Sequence, residues 1–353
     1  MVKEQTLNSN TFQISLLLFF SVILVIMSVM QFLTQGWHLF AWDMLLISGL
    51  VLLVIGIWLS LHIPHKMDVA LTRLINRGVL KTDGERWQKL QIDLQRRTMV
   101  WACTGGLIVA SAILLAFFVA FGLPLPAEKI SLTILEVAGG FLAGWYLGRM
   151  ASNGRLGLLL KEQGIALQVQ PGYLDGAAGL KPIGDFYFFQ AMVAGLPALF
   201  LAVWLVLFSL WPIAGRYAIW KEPYLELLPI ALACEILAFW VPLWFFHREM
   251  HAQKSALLKE ADTLGQNIVR IQAELTELRD AQLLNQLKEQ LSHMTQRYWD
   301  IEHMPTWPVD MKTRQRFTLN NVTLLIIPLI SHLVSEKSIW RNVLESLGDM
   351  LKK

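Results

Sequence analysis

The sequence predicts an all-α fold, a polytopic integral membrane bundle of six or seven spans with a long cytoplasmic helix or coiled coil. Two observations carry this prediction. Hydrophobic residues make up 55% of the 353 residues and charged residues only 16%, a balance that excludes an ordinary soluble globular protein. The charges are also concentrated in a few stretches, and the apolar segments between them are long enough to cross a bilayer.

The apolar segments pair into three hairpins. A spanning helix needs about 20 mostly apolar residues. The segments that qualify are Thr11 to Phe32, Met44 to Leu61, Thr98 to Gly122, Ile130 to Gly148, Phe186 to Pro212 and Leu225 to Phe246. A seventh segment, Phe317 to Ser335, has no charge but contains Asn320, Asn321 and Pro328. It is either a further crossing or a re-entrant or interfacial segment.

Basic residues set the orientation of the hairpins. The connector of residues 65–97 contains eight Lys or Arg, whereas the links 33–43, 123–129 and 213–224 contain none, one and two. By the positive-inside rule the long basic connector is cytoplasmic, and so is the N-terminus. We therefore expect a multi-pass protein of a bacterial inner membrane.

The same boundaries give the predicted domain organisation. Each transmembrane hairpin is followed by a cytoplasmic part. The parts are a first hairpin (1–62), a basic loop (63–97), a second hairpin (98–148), a Gly-rich loop (149–185), a third hairpin (186–246), a coiled coil (247–303), a Pro-rich link with the seventh apolar segment (304–335), and an amphipathic C-terminal helix (336–353).

The coiled coil is predicted from an a/d spacing of apolar residues. The seam consists of Leu257, Ala261, Leu264, Ile268, Ile271, Leu275 and Leu278. A second phase from Leu284 to Ile301 is offset from the first near Ala281, which indicates a stammer in one rod or the tip of a helical hairpin. A rod needs another helix to cover its seam, so the sequence predicts either self-association or a hairpin that packs on itself.

The Gly-rich loop has glycines at 172, 176, 179 and 184, which raises the possibility of a phosphate cradle. Neither the G-x-G-x-x-G nor the GK[ST] spacing is present, and no strand-to-helix context surrounds the glycines, so we reject a nucleotide site. The Asp175-Gly176 step is typical of a turn. The loop is a structural connector or a cytoplasmic ligand or partner loop.

Two acidic residues, Glu136 and Glu235, lie inside predicted spans, and neither span has a Lys or Arg at that depth. An ionised group at the bilayer centre costs roughly 2.5 to 3.5 kcal/mol on insertion scales, so each carboxyl is protonated, partnered or facing water. If the two converge at their similar depths, the pair can hold a proton or a cation. The alternative is that each is a neutral buried polar contact between helices.

A glycine zipper follows Glu136 at four-residue steps, formed by Gly140, Gly144 and Gly148. Small residues in this register let a second backbone approach closely, which is how helices associate in lipid. The zipper predicts a helix contact, within the chain or between subunits.

Catalytic and cofactor patterns are missing from the sequence. We find no H-E-x-x-H motif and no arrangement that nominates a triad, so we expect no enzyme, no metal and no cofactor. The net charge of +3 gives no basis for nucleic-acid binding. The two cysteines, Cys103 and Cys234, are predicted to be small buried apolar side chains.

These features predict an oligomeric channel-like or signal-responsive membrane assembly, including an effector that depolarises the membrane in a bacterial stress or antiviral response. Its expected partners are the lipid bilayer, further copies of the chain or a membrane complex, and a cytoplasmic protein at the coiled coil. The alternatives are a cation- or proton-coupled secondary transporter and a membrane scaffold that recruits soluble proteins.

Overall fold

The structure, a computed structural model, is almost entirely helical, with 86% of the residues in helices. It describes residues 2–36, 43–121, 127–210, 217, 220–277 and 281–336. The predicted amphipathic helix of residues 336–353 lies outside the described residues except for its first position. The high helix content confirms the all-α class.

Within these ranges the chain forms eleven helices and one two-stranded antiparallel ladder. The helices are α1 (Val2–Gln35), α2 (Met44–Leu61), α3 (Ile63–Asn76), α4 (Gly84–Phe121), α5 (Ala127–Gly154), α6 (Leu156–Glu162), α7 (Lys181–Ala194), α8 (Leu196–Leu210), α9 (Lys221–Glu277), α10 (Ala281–Glu302) and α11 (Met311–Glu336). The strands are β1 (Leu80–Lys81) and β2 (Ala166–Leu167).

Four helical stretches in the described part of the chain are long and apolar enough to cross a membrane, and a fifth candidate is a bent pair. The four lie in α1, in α2 with α3, in α4 and in α9, while the pair α7 and α8 is bent by 43°. The predicted fourth and seventh spans are helical, in α5 and α11, but are not among the candidates. The start of α5 and the end of α11 lie outside the residues whose side chains the structure describes, so the count of candidates refers to the rest of the chain. The structure thus supports four or five spans, fewer than the predicted six or seven.

Apolar side chains cover the outward faces of the candidate spans. On α4, Val100, Leu107, Ile108 and Leu115 are 58 to 64% exposed. A continuous exposed apolar surface of this kind fits contact with lipid rather than water. Cys103 and Cys234 lie on such surfaces and are exposed, so the prediction that they are buried was wrong. A lipid-facing position is as apolar in sequence as a core position, so composition does not separate the two.

The second span of the third hairpin and the first part of the stalk are one helix. α9 contains 57 residues and is about 85 Å long at 1.5 Å per residue. It passes through the predicted boundary between Phe246 and His247 without a break. Pro229 and Pro242 both lie inside it.

The stalk is a hairpin within one chain, since α10 folds back antiparallel on α9. Arg297 pairs with Glu260 at 2.9 Å, and the ammonium of Lys254 donates to the carbonyls of Glu302 and Met304 at 2.8 and 2.9 Å. The seam predicted on α9 is inside this hairpin. Ala261 and Ile271 are buried, and Leu257, Leu264, Ile268 and Leu275 are half-buried, while Leu278 lies outside the described residues. The seam is covered by α10, so it does not require a second chain.

A compact module surrounds the base of the stalk on the side predicted to be cytoplasmic. α3, the ladder, α6 and residues 165–180 pack with α7, α9 and residues 301–317 around one apolar core. α3 buries Leu71 and Leu74, and β1 pairs Leu80 with Leu167 of β2. The two loops between predicted hairpins therefore fold together on the stalk.

Candidate functional site

The candidate site is the carboxyl group of Glu235, which is fully buried in α9. One of its oxygens, Oε1, accepts hydrogen bonds from the side-chain amides of Asn320 and Asn321 on α11, at 3.3 and 3.4 Å. The other oxygen, Oε2, is buried and has no hydrogen-bond partner among the described residues. The site therefore holds one unused oxygen in an apolar helical bundle.

The break between α7 and α8 lies against this carboxyl. Gly195 separates the two helices, and a Cβ atom placed on it would collide with Oε2 of Glu235. Pro197, just after the break, has no N–H to donate to the carbonyl of Val193 one turn earlier. Only glycine leaves room for the carboxyl at this point. The local sequence Gly-Leu-Pro thus bends the chain between α7 and α8 and lets the Glu235 carboxyl lie close to the backbone at Gly195.

Apolar layers close the site on both sides. Towards the stalk, Phe239 and Phe317 stack with ring centroids 4.2 Å apart, and Phe188 contacts both rings. In the other direction, Leu228 and Leu232 pack in a core with residues of α8 and with Leu324 of α11. The pairs 239/317 and 235/320 show that α9 and α11 are antiparallel. The carboxyl therefore lies in a low-dielectric junction of four helices.

A second buried polar cluster lies near the end of α5. The side-chain amide of Asn153 donates to Gln190 at 2.9 Å, and the hydroxyl of Tyr187 donates to the Asn153 carbonyl at 2.7 Å. Arg149, one turn before Asn153, is only 7% exposed, and its Nη1 has no partner among the described residues. Gln190 lies on α7 about one turn before Gly195. Sequence analysis missed this cluster, although polar residues inside an apolar segment mark such positions.

The two predicted intramembrane carboxyls are not joined by the described contacts. The side chain of Glu136 lies outside the described residues, while its backbone belongs to α5. The contacts of Glu235 within the described chain come from α11 and Gly195. A site shared by the two carboxyls stays a prediction.

The glycine zipper lies at the contact between α5 and α4. A Cβ on Gly140 would collide with Ile113, one on Gly144 with the carbonyl oxygen of Gly105, and one on Gly148 with the carbonyl oxygen of Trp101. The collisions at Gly144 and Gly148 are with backbone, so the two helices approach at backbone distance. The zipper packs these helices within one chain.

The Gly-rich loop is fixed by one carboxylate, that of Asp175. Its Oδ1 accepts from the backbone N–H groups of Ala177 and Gly179 at 2.9 and 3.0 Å, and its Oδ2 pairs with Arg77 at 2.6 Å. Arg77 also lies over the ring of Tyr173, 5.0 Å from its centroid. The loop is a turn tied to the end of α3, and it is not arranged as a phosphate cradle.

Asp310 anchors the start of α11 to the same module. It accepts from the ammonium of Lys181 at 2.8 Å and, as a helix N-cap, from the N–H of Thr313 at 2.9 Å. Partial burial raises the pKa of Asp310, but the hydrogen bonds from Lys181 and Thr313 outweigh it and lower the pKa from 3.8 to about 2. The entry of α11 into the bundle is therefore held by an ionised pair.

These features define a class: an almost wholly helical protein with four or five candidate membrane spans and a helical stalk. Comparisons with protein-family models, with curated proteins and with solved structures gave no match. The function is therefore inferred from the geometry of the site alone.

Proposed function

We propose that the chain is a multi-pass protein of a bacterial inner membrane, in which the cytoplasmic module controls the passage of protons or small cations by way of Glu235. It is not an enzyme in this proposal. In the cell such flux depolarises the membrane, which is the outcome expected of a stress or antiviral effector.

The burial of Glu235 is the observation that carries this proposal. A buried ionised carboxylate needs a compensating charge, and two asparagine amides supply dipoles but no charge. A proton on the free oxygen Oε2, or a cation beside it, provides the compensating positive charge. Gln or Asn would have served a purely structural contact at lower cost in this setting.

The continuity of α9 supports control from the cytoplasm. Glu235 and the stalk tip at Glu277 belong to the same helix, about 63 Å apart at 1.5 Å per residue. The antiparallel hairpin stiffens the stalk, and the module around its base packs on Phe239, Leu243 and Phe246. A partner or ligand at the module thereby acts directly on the helix that carries the carboxyl.

The test is ion flux into liposomes that contain the purified full-length protein. With an imposed pH or cation gradient, we expect the wild-type protein to conduct and Glu235→Gln to fall to the rate of protein-free vesicles. Gln preserves shape and hydrogen bonding but cannot bind a proton. Glu235→Asp keeps the carboxyl and should retain part of the flux.

Glu226→Gln is the matched control, because Glu226 lies on the same helix but is exposed. We expect it to conduct like the wild type. Equal flux in the wild type and in Glu235→Gln, or a wild type no faster than protein-free vesicles, would contradict the proposal.

For the topology we propose seven crossings, with α5 and α11 added to the candidate spans and the N-terminus in the cytoplasm. α11 lies alongside α8 and α9, and its Leu319, Ile327 and Ile330 are 67, 49 and 54% exposed, as a lipid-facing side would be. A reporter at the C-terminus distinguishes the arrangements: an external C-terminus supports seven crossings, and a cytoplasmic one supports a re-entrant α11.

A proton- or cation-coupled transporter is the second candidate, favoured by the broken helix at Gly195 beside a buried carboxyl. Discontinuous helices near a midplane charge are typical of transporter substrate sites. Flux without any added solute supports the channel. Flux that requires a solute on the opposite side, and is lost in Glu235→Gln, supports the transporter.

Oligomerisation also stays a proposal. The chain is expected to form a homo-oligomer or to join a membrane complex, but the seam no longer argues for it, since α10 covers that seam. Cross-linking in native membranes tests it directly.

A further inference from the structure

The first half of α4 carries a cavity of about 270 Å³ lined by Asp93, Arg96, Arg97, Val100 and Trp101. It lies where the charged first part of the helix gives way to the apolar part that begins near Thr98. The cavity is slightly smaller than the roughly 300 to 1,000 Å³ of sites that enclose a whole drug-sized ligand, so it suits a headgroup.

The charges around this cavity are unevenly paired. Arg97 pairs with Glu162 at 2.7 Å, and Asp93 accepts from the amide of Gln163 at 2.6 Å. Arg96 has no carboxylate partner among the described residues. The carboxylates of Asp93 and Glu162 balance the charges of Arg96 and Arg97, and Arg155, which lies against Trp101, makes the surroundings net positive.

Arg155 adds a second unpaired guanidinium. It lies at the start of α6, and its Cζ is 5.2 Å from the centroid of the Trp101 ring. In the described part of the chain it, too, lacks a carboxylate partner. One unpaired guanidinium, that of Arg155, therefore lies against the face of the indole, and another, that of Arg96, lies in the wall of the cavity that the indole lines.

An apolar face continues directly from this site. Val100 is 58% exposed, and Leu107, Ile108 and Leu115 extend the exposed surface along α4 for about 22 Å at 1.5 Å per residue. Such a surface beside paired positive charges matches an amphiphile, with a negative headgroup at one end and hydrocarbon chains along the helix.

We propose that this cavity binds the phosphate headgroup of an anionic phospholipid from the cytoplasmic leaflet, held between Arg96 and Arg155 with its chains along α4. Arginine offers the planar, multiple donors that phosphate oxygens accept. Because Arg155 begins α6, a bound lipid ties the α4–α5 hairpin to the cytoplasmic module. This proposal does not depend on ion flux.

The experiment is native mass spectrometry of the full-length protein in detergent, titrated with phosphatidylglycerol or phosphatidylcholine. We expect preferential retention of phosphatidylglycerol, and about a thirtyfold loss of that affinity in the double variant R96Q/R155Q, since a basic residue near an anionic headgroup is worth roughly five- to sixfold. Binding of phosphatidylcholine should not change. The variant R96K/R155K keeps both charges and should retain most of the affinity.

Arg316→Gln is the matched control, because Arg316 is an exposed arginine directly before the apolar part of α11. We expect less than about a twofold change, against five- to sixfold per charge at the proposed site. An equal loss per charge in Arg316→Gln would show general surface attraction and overturn the site. Displacement of the lipid by an equal concentration of inorganic phosphate would show a free-anion site, and would overturn the lipid assignment.

Discussion

Gly195→Ala tests whether the packing at the helix break depends on the Glu235 carboxyl. The added Cβ would occupy the space of Oε2, and the carboxyl can turn aside only into the apolar layers around it. Overpacking of this kind costs about 1 to 3 kcal/mol. Gly195 has φ −75°, so alanine is free of backbone strain and recovers roughly 0.5 to 1 kcal/mol of helix propensity. We expect a net loss of about 0 to 2.5 kcal/mol.

The cause is isolated by a double-mutant cycle with Glu235→Ala. In that background the carboxyl is gone, and the new methyl group enters the space it leaves. Gly195→Ala should then be neutral or stabilising, which gives a coupling energy of about 1 to 3 kcal/mol between the two positions. The assay is unfolding of the purified protein in mixed micelles, followed by near-UV circular dichroism.

Gly139→Ala is the control, since Gly139 lies inside helix α5 and a Cβ there would meet nothing within 4 Å. It should be neutral or stabilise by up to about 1 kcal/mol. If Gly195→Ala destabilises equally with and without the Glu235 carboxyl, the collision inferred here is not the cause, and the close approach is refuted.

Three further predictions concern the module and the stalk. Asp310 has its pKa lowered from 3.8 to about 2 in the folded state. A shift of this size corresponds to about 2.4 kcal/mol, which the partial exposure of the Lys181–Asp310 pair to solvent reduces to about 1 to 2 kcal/mol. This contribution is present above pH 4 and lost as the pH falls to about 2. Asp310→Asn should therefore show a shallower loss of stability over that interval in acid unfolding. Ile271→Ala should destabilise the stalk by about 2 kcal/mol, because Ile271 is only 3% exposed. The loss should be seen as faster proteolysis of the stalk. Val269→Ala, at a position that is 66% exposed, is the control and should have no effect. Asp175→Asn should speed hydrogen exchange at the amide of Gly179 about tenfold or more, since it weakens an acceptor that is charged in the wild type; unchanged exchange would show that the loop is held by other contacts.

Periodicity and composition predicted most of the helices. α2 begins at Met44 and ends at Leu61, as the hydropathy of that segment predicts. The seam of the stalk was also found from its spacing. These features depend on neighbours within a few turns, which a single sequence displays directly.

The site depended on contacts between distant residues. Glu235 was identified because a carboxyl in an apolar segment is anomalous, but its partner Asn320 is 85 positions away along the chain. The phase of α11 against α9 decides this contact, and no local pattern encodes it. In the sequence, the polar Asn320-Asn321 pair served only as an argument against a seventh span. In the structure, both asparagine side chains are hydrogen-bond donors to the buried carboxyl of Glu235.

The burial of the middle of α9 in the module also has a mechanical consequence. Phe239, Leu243, Phe246 and Met250 are fully buried in the module and act as a fulcrum for a helix that extends to both sides. From its centre the fulcrum is about 15 Å from Glu235 and about 48 Å from the stalk tip at 1.5 Å per residue, a lever ratio of about three to one. A sideways displacement of about 4 Å at the tip moves the carboxyl by little more than 1 Å, and the hydrogen bond from Asn320, already 3.3 Å long, would stretch beyond hydrogen-bonding distance. The stalk thus converts a large, weak movement at its tip into a small, forceful one at the buried acid.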